Sequence, residues 1–340
     1  MNTTSTLPPL AILGAGAWGT ALAIHLARCQ QRVLLWGHNA AQMTTLQLER
    51  VNTNYLPGKL LPDQIQCTAD LSRALSGEAQ DILIAVPSRR FSQLLQSMKA
   101  YWKPSMRLIG TSKGFDLETQ QPLYTRIPEI LGSVEYALLS GPSFASEVAA
   151  ALPTAVTIAS TSLNFAKVLQ QRFHNPTFRV YTTQDVMGVS LGGTLKNVLA
   201  IAIGIADGLG FGANAQAALM TRGFAEILRL GSALGAQTET LVGLSGIGDL
   251  ILTCTDNQSR NRRFGLALAQ GQTVEAAQKN LGQLVEGFFS TRTVHQLAAQ
   301  QAVALPICES VYQILYQHQS PSTVVNTLLN RPPGAEKISI

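Results

Sequence analysis

Along the first half of the chain, short apolar runs recur, and longer stretches of helical pattern fill the gaps between the early ones. The runs cover residues 10–13, 32–36, 64–68, 81–86, 106–110, 136–140, 155–159 and 178–182. Most carry apolar residues on both faces, whereas a strand with one wet face would alternate. Such runs predict strands of a sheet covered by helices on both faces. Residues 19–29 and 91–100 read as two of those helices. Strands alternating with helices predict an α/β, doubly wound and mainly parallel sheet.

Near residue 185 the β pattern stops. Helical segments follow at 193–205, 215–230, 248–253, 260–269, 288–300, 307–317 and 321–330, punctuated by Gly-rich breaks. The change predicts one domain over 1–188 and an all-helical second domain over 189–340, with the last few residues as a tail.

Composition narrows the classes. Hydrophobic residues make up 46% of the 340 and charged residues 13%, which suits two domains with large cores and argues against disorder. The net charge is +5, but the basic residues are scattered apart from Arg260, Arg262 and Arg263. That cluster is too short for a nucleic-acid stripe and sufficient for a small phosphorylated ligand. The four cysteines have no metal spacing, which predicts no metal site and a reducing, cytoplasmic setting. Residues 1–9 lack the pattern of a signal peptide. The longest apolar run, 198–206, falls short of the ~20 residues that span a bilayer, so no integral membrane segment is expected.

The chemistry begins at Gly14-Ala15-Gly16-Ala17-Trp18-Gly19, a GxGxxG between the first strand and the first helix. The first glycine permits the tight turn, the second admits a pyrophosphate to the backbone, and the third lets helix and strand pack closely. The helix N-terminus then offers N–H donors to phosphate. The second strand ends at Trp36-Gly37-His38-Asn39, without the carboxylate that an NAD-selective site places on the ribose 2′-hydroxyl. NADP and NAD both remain open, with NADP moderately favoured. His38 is a candidate for a 2′-phosphate, or simply an exposed loop residue.

Four further segments stand at strand ends or helix starts. Ala85-Val86-Pro87-Ser88 and Thr111-Ser112-Lys113-Gly114 end strands, which puts Lys113 on the ligand-facing rim. Ser140-Gly141-Pro142-Ser143-Phe144-Ala145 reads as a strand end whose proline opens a helix. Gly192-Gly193-Thr194-Leu195-Lys196-Asn197 reads as the head of a helix buried all round. A lysine there is costly unless paired or functional, and burial lowers its pKa toward that of a general acid. Asp249 follows Gly246-Ile247-Gly248 and is a candidate partner for Lys196. Thr253, four residues on, shares its helix face. Ser259 is a candidate N-cap beside Arg260 and Asn261, a combination suited to phosphate, whereas Arg262 and Arg263 read as a solvated face.

Taken in order, GAGAWGTALA, AVPS, SKGF, SGPSFASEVA, GGTLKNVLAIA, GLSGIGDLILTCT, SRNRRFG and VEG resemble the bacterial NAD(P)-dependent glycerol-3-phosphate dehydrogenase family over nearly the whole chain. The resemblance implies a Rossmann-type first domain and reduction of dihydroxyacetone phosphate to sn-glycerol 3-phosphate for phospholipid synthesis. It implies that Lys196 is the acid/base and that Lys113 polarises the carbonyl and touches both ligands. Asn197 and Asp249 would hold Lys196 and the substrate hydroxyls. Gly141, Ser143, Thr253, Ser259, Arg260 and Asn261 would join the substrate site. Ala17, Trp18, His38, Ala145, Arg260, Leu284 and Glu286 would join the glycines at the cofactor. Many members carry Arg where His38 stands. A homodimer is implied as well. Two other readings compete: another two-domain hydroxyacid dehydrogenase, which does not need the SRN segment, and a non-catalytic NADP sensor, which does not need Lys196, Asn197 and Asp249 together.

Overall fold

The structure is a computed structural model, and it describes residues 7–282 and 285–332. Leu284 and the residues read as a tail beyond 332 lie outside that range. The chain divides into two compact units. The first holds the chain up to Ser112 together with Pro122–Val186, and the second holds Lys113–Gln121 with the chain from Met187 on. The single division expected at 188 is thus corrected. The chain crosses after Val186, and nine residues from the first half belong to the second unit. Phe115, 5% exposed, joins the second unit's core and draws that segment across.

The first unit runs β1 (Leu10–Leu13), α1 (Ala17–Arg28), β2 (Val33–Trp36), α2 (Ala40–Glu49), β3 (Val51–Asn52), β4 (Leu56–Leu60), β5 (Ile65–Thr68), α3 (Leu71–Ser76), β6 (Asp81–Ile84) and α4 (Ser88–Met98). It continues through β7 (Arg107–Gly110), α5 (Arg126–Leu131), β8 (Tyr136–Ser140), α6 (Ala145–Ala149), β9 (Thr154–Ala159), α7 (Leu163–Phe173) and β10 (Phe178–Thr183). Eight of the strands form one sheet, in the order β10-β9-β8-β7-β6-β1-β2-β5. All neighbours pair parallel except β8 and β9, which are antiparallel. The strand alternation shows why both faces are apolar. Leu10 and Ile12 pack with α1 and α7 on one side, while Ala11 and Leu13 pack with α3 and α4 on the other. β3 and β4 form a small antiparallel pair that the sequence pattern did not signal.

The second unit is helical: α8 (Val186–Gly208), α9 (Ala213–Ala233), α10 (Thr238–Leu241), α11 (Asp249–Thr255), α12 (Arg260–Ala269), α13 (Val274–Leu281), α14 (Glu286–Gln300), α15 (Pro306–Tyr316) and α16 (Pro321–Leu329). α8 is its axis. At 23 residues it is long and apolar enough to cross a membrane, but 83% of its most apolar window is buried inside the fold, so it is a core helix. Gly192 and Gly193 do not open this helix, contrary to the sequence reading; they lie inside it. Each sits where a neighbour comes too close for a side chain. A Cβ on Gly192 would lie 2.4 Å from the Ser245 carbonyl oxygen, and one on Gly193 2.2 Å from Lys113 Cδ.

Candidate active site

In the first unit, strand order reverses direction at β1, which β2 and β6 flank. In open α/β sheets ligands bind at such a switch point, beyond the strand C-termini. There the GxGxxG turn leaves β1. Gly14 has φ +126°, and a Cβ would meet the Ala85 carbonyl oxygen at 2.4 Å, so only glycine fits. A Cβ on Gly19 would lie 1.9 Å from Gly14 O, the close strand–helix packing the motif demands. Gly16 faces open space, with nothing within 4 Å. It is also the N-cap of α1, makes no side-chain cap bond, and is followed by no acid in the first turn. The free N–H groups and positive end of α1, with Ala17 and Trp18 half-buried in its first turn, fit a pyrophosphate.

A residue that the sequence did not single out fixes this turn. Asn52, 3% exposed, donates from Nδ2 to Ala15 O (2.9 Å) and Thr20 Oγ1 (2.8 Å). Gln42 donates to the same Ala15 oxygen at 3.3 Å. Asn52 belongs to the short β3–β4 pair, and its neighbours carry no pattern that marks it. His38 is exposed at the end of β2, ahead of Asn39, which caps α2 by accepting from Gln42 N. Beyond β8, Gly141 has φ +141°, and Ser143 Oγ donates back to Gly141 O at 3.0 Å. The helix expected to open at Pro142 starts only at Ala145 and spans five residues. The strained Gly141 turn intervenes, so Pro142 belongs to the turn.

In the second unit, one carboxylate gathers two lysines. Asp249, 1% exposed, accepts from Lys196 Nζ at 2.6 Å and from Lys113 Nζ at 2.9 Å, one on each oxygen. Lys196 lies inside α8 rather than at its head. The missing side chain of Gly193 lets the Lys113 stem lie against α8. Burial pulls the Lys196 pKa down to about 8; Asp249 opposes that shift and Lys113 adds to it. Burial alone would raise Asp249, but the two lysines outweigh it and hold the carboxyl below its usual range. The cluster is therefore a charged carboxylate holding an ammonium poised to give up its proton near neutrality. Cys254 beside it is no nucleophile, because burial pushes its thiol up to about 12.

One expected contact differs. Asn197 does not bond Lys196: its Nδ2 donates to Gly193 O (3.3 Å) and its Oδ1 accepts from Asn261 (2.8 Å). Consecutive residues on a helix point about 100° apart, so the two side chains diverge. Thr253 is buried and donates to the Asp249 backbone oxygen at 2.6 Å, one turn back, not to its carboxylate. Ser259 caps α12, accepting from Arg262 N at 3.3 Å, so the helix opens with Arg260 exposed in its first turn. Asn261, 8% exposed, accepts from Gly287 N at 2.9 Å while donating to Asn197, which ties α8, α12 and α14 together. Gly287 must be glycine, since a Cβ would lie 2.7 Å from Asn197 O. Glu286, first in α14, lies within electrostatic reach of Arg260. Arg262 is not on a solvated face as expected; it pairs with Asp207 and Asn257. Arg263 is exposed.

A turn fitted to a pyrophosphate at the switch point of a doubly wound sheet, with a buried carboxylate holding two lysines in a separate helical unit, fits a class: two-unit dinucleotide-dependent oxidoreductases. Comparison with known proteins narrows it. The model of the NAD-dependent glycerol-3-phosphate dehydrogenase N-terminus matches residues 9–166, and that of the C-terminus matches 185–326. The chain is 49% identical over 343 residues to the glycerol-3-phosphate dehydrogenase (NAD(P)+) of Serratia marcescens, covering 100% of both. It is 50% identical over 329 residues to that of Tolumonas auensis, covering 96% of this chain and 98% of that one. A crystal structure of glycerol-3-phosphate dehydrogenase from Coxiella burnetii superposes with a TM-score of 0.92 at 47% identity, covering 95% and 99%. The chain belongs to the NAD-dependent glycerol-3-phosphate dehydrogenase family, and its fold is the Rossmann-type sheet and helical domain of that family.

Proposed function

We propose that the chain reduces dihydroxyacetone phosphate to sn-glycerol 3-phosphate with NADPH or NADH, and that the observation carrying this is the Lys113–Asp249–Lys196 cluster. With its pyrophosphate held at the Gly14–Gly19 turn, the reduced dinucleotide would supply the hydride. Negative charge then develops on the substrate's C2 oxygen, which needs a proton and a nearby cation. Lys196 donates that proton, and its pKa of about 8 makes the donation easy near neutrality. Asp249 holds Lys196 in place, and Lys113 supplies the second positive charge. In the reverse direction neutral Lys196 takes the proton back. Arg260, exposed in the first turn of α12, receives the phosphate, together with the N–H groups that open this helix. Asn261 keeps one amide hydrogen for the ligand, because its other bonds are made.

Gly141, Ser143, Thr253 and Ser259 complete the substrate site in this reading. Ala17, Trp18, His38, Ala145 and Glu286 complete the cofactor site, with Leu284. NADPH is preferred, because the end of β2 carries no carboxylate to repel a 2′-phosphate. The enzyme works as a cytoplasmic homodimer supplying phospholipid synthesis, as the family resemblance implies. Initial rates of NADPH and NADH oxidation with dihydroxyacetone phosphate test the proposal. Turnover with the phosphate and little with unphosphorylated dihydroxyacetone is expected. Absence of turnover in folded protein that binds dinucleotide refutes it.

A further inference from the structure

The second unit holds a cavity that the lysine–aspartate cluster does not use. Its volume is about 610 Å³, within the range of small-ligand pockets, and α8, α9, α15 and α16 wall it. Its floor is apolar and buried: Ile205, Val311 and Ile314 are 2%, 1% and 6% exposed. One wall is different. Arg222, Glu226 and Arg229 stand at i, i+4 and i+7, on one face of α9, and all three line the cavity. Arg331 lines it from beyond α16.

The charges on this wall do not cancel. Glu226 is fully engaged, accepting the N–H groups of Ile307 and Cys308 at 2.6 and 3.0 Å. Arg229 donates to Ala304 O and has Glu226 as its charge neighbour. Arg222 and Arg331 form no ion pair among the described residues, and both are exposed at the rim. An apolar trough whose edge carries two guanidinium groups without an ion-pair partner among the described residues selects for a ligand with the opposite layout. Guanidinium groups bind carboxylate and phosphate through paired N–H donors, and the trough favours methylenes.

We propose that this cavity binds a single-chain amphiphile with an anionic head group, its chain against Ile205, Val311 and Ile314 and its head at Arg222 and Arg331. The site goes beyond the proposed reaction and stands independently of it. Calorimetric titration of the full chain with octanoate, decanoate, decyl phosphate and decanol, each below its micellar concentration, tests it. One site per chain is expected. Decanoate should bind about fifteenfold more tightly than octanoate, at about fourfold per methylene. Decanol should bind about tenfold more weakly than decanoate, and the paired variant Arg222→Gln/Arg331→Gln should lower decanoate to the level of decanol. The tighter of decanoate and decyl phosphate identifies the head group.

Ala218 lines the cavity from an exposed position on α9, so Ala218→Trp fills the space without burying new bulk in the core. It should abolish binding while dihydroxyacetone phosphate turnover stays at the wild-type level, which keeps this result separate from the proposed function. The proposal fails if no saturable binding is seen, if decanol matches decanoate, or if Ala218→Trp binds normally. It also fails if Ala218→Trp turns a sedimenting dimer into a monomer, because a second copy then covers the cavity.

Discussion

Replacing Asp249 by asparagine removes one negative charge and almost no volume. In the wild type that charge sits 2.6 Å from Lys196 Nζ and is the main force holding the ammonium protonated against burial. An opposite charge at such range shifts a pKa by about 1–3 units, so the Lys196 value should fall from about 8 to between about 5 and 7. The direction is fixed: loss of an anion disfavours the cation. In the proposed mechanism ketone reduction needs Lys196 protonated. In the wild type kcat/KM should be level below pH 8 and fall tenfold per pH unit above it. In Asp249→Asn the break should move down by the same 1–3 units. At pH 7 the wild-type lysine is about nine-tenths protonated, whereas a pKa near 6 leaves about one-tenth, so protonation alone costs about tenfold. Any deficit that persists on the acid plateau measures lost positioning. Asp249 itself does not titrate in this window, because both lysines hold its pKa below the usual carboxylate range. The assay is NADPH oxidation with dihydroxyacetone phosphate from pH 5 to pH 10. If the break stays near 8 in the variant, either Lys196 is not the titrating acid or Asp249 does not tune it.

Three further outcomes are expected. Gly193→Ala puts a Cβ 2.2 Å from Lys113 Cδ and displaces that lysine, so kcat/KM should fall on the order of 100-fold with little change in melting temperature; a wild-type rate would show that the placement of Lys113 is unimportant. Asn52→Ala removes the buried donor to Ala15 O, and dinucleotide Kd by fluorescence titration should rise about tenfold with a lower melting temperature; an unchanged Kd would separate Asn52 from the cofactor turn. Arg260→Ala should raise KM for dihydroxyacetone phosphate by roughly 10- to 100-fold, and an equal loss with unphosphorylated dihydroxyacetone would refute a phosphate contact.

The central strands of the main sheet were legible because a doubly covered sheet leaves apolar residues on both faces, as in Leu10–Leu13 and in residues 82–84. β3 and β4 were not, because VN and LPGKL are short and broken by proline and glycine and carry no such signature. The same limit hid Asn52, whose meaning lies in a bond across 37 residues to Ala15. Lys196 and its partner Asp249 were readable from cost, since a lysine amid apolar residues needs a reason. The glycines beside Lys196 misled: glycine in a chain pattern reads as a break, whereas Gly192 and Gly193 make room for neighbours that only the fold supplies. Arg262 was misread likewise, because its partner Asp207 is 55 residues away.

The nine residues Lys113–Gln121 belong to the second unit although they are written in the first half of the chain. The order of synthesis therefore matters. Lys113 leaves the ribosome 136 residues before the carboxylate that receives it. At ordinary elongation rates the wait is roughly 7–27 s. During that time the segment has no helical unit to join, and Phe115 has no core to enter. The division also limits recombination. A chimaera cut at residue 186 takes one lysine of the pair from one parent and the other from the second parent, so the two cations gathered by Asp249 would have distinct ancestries.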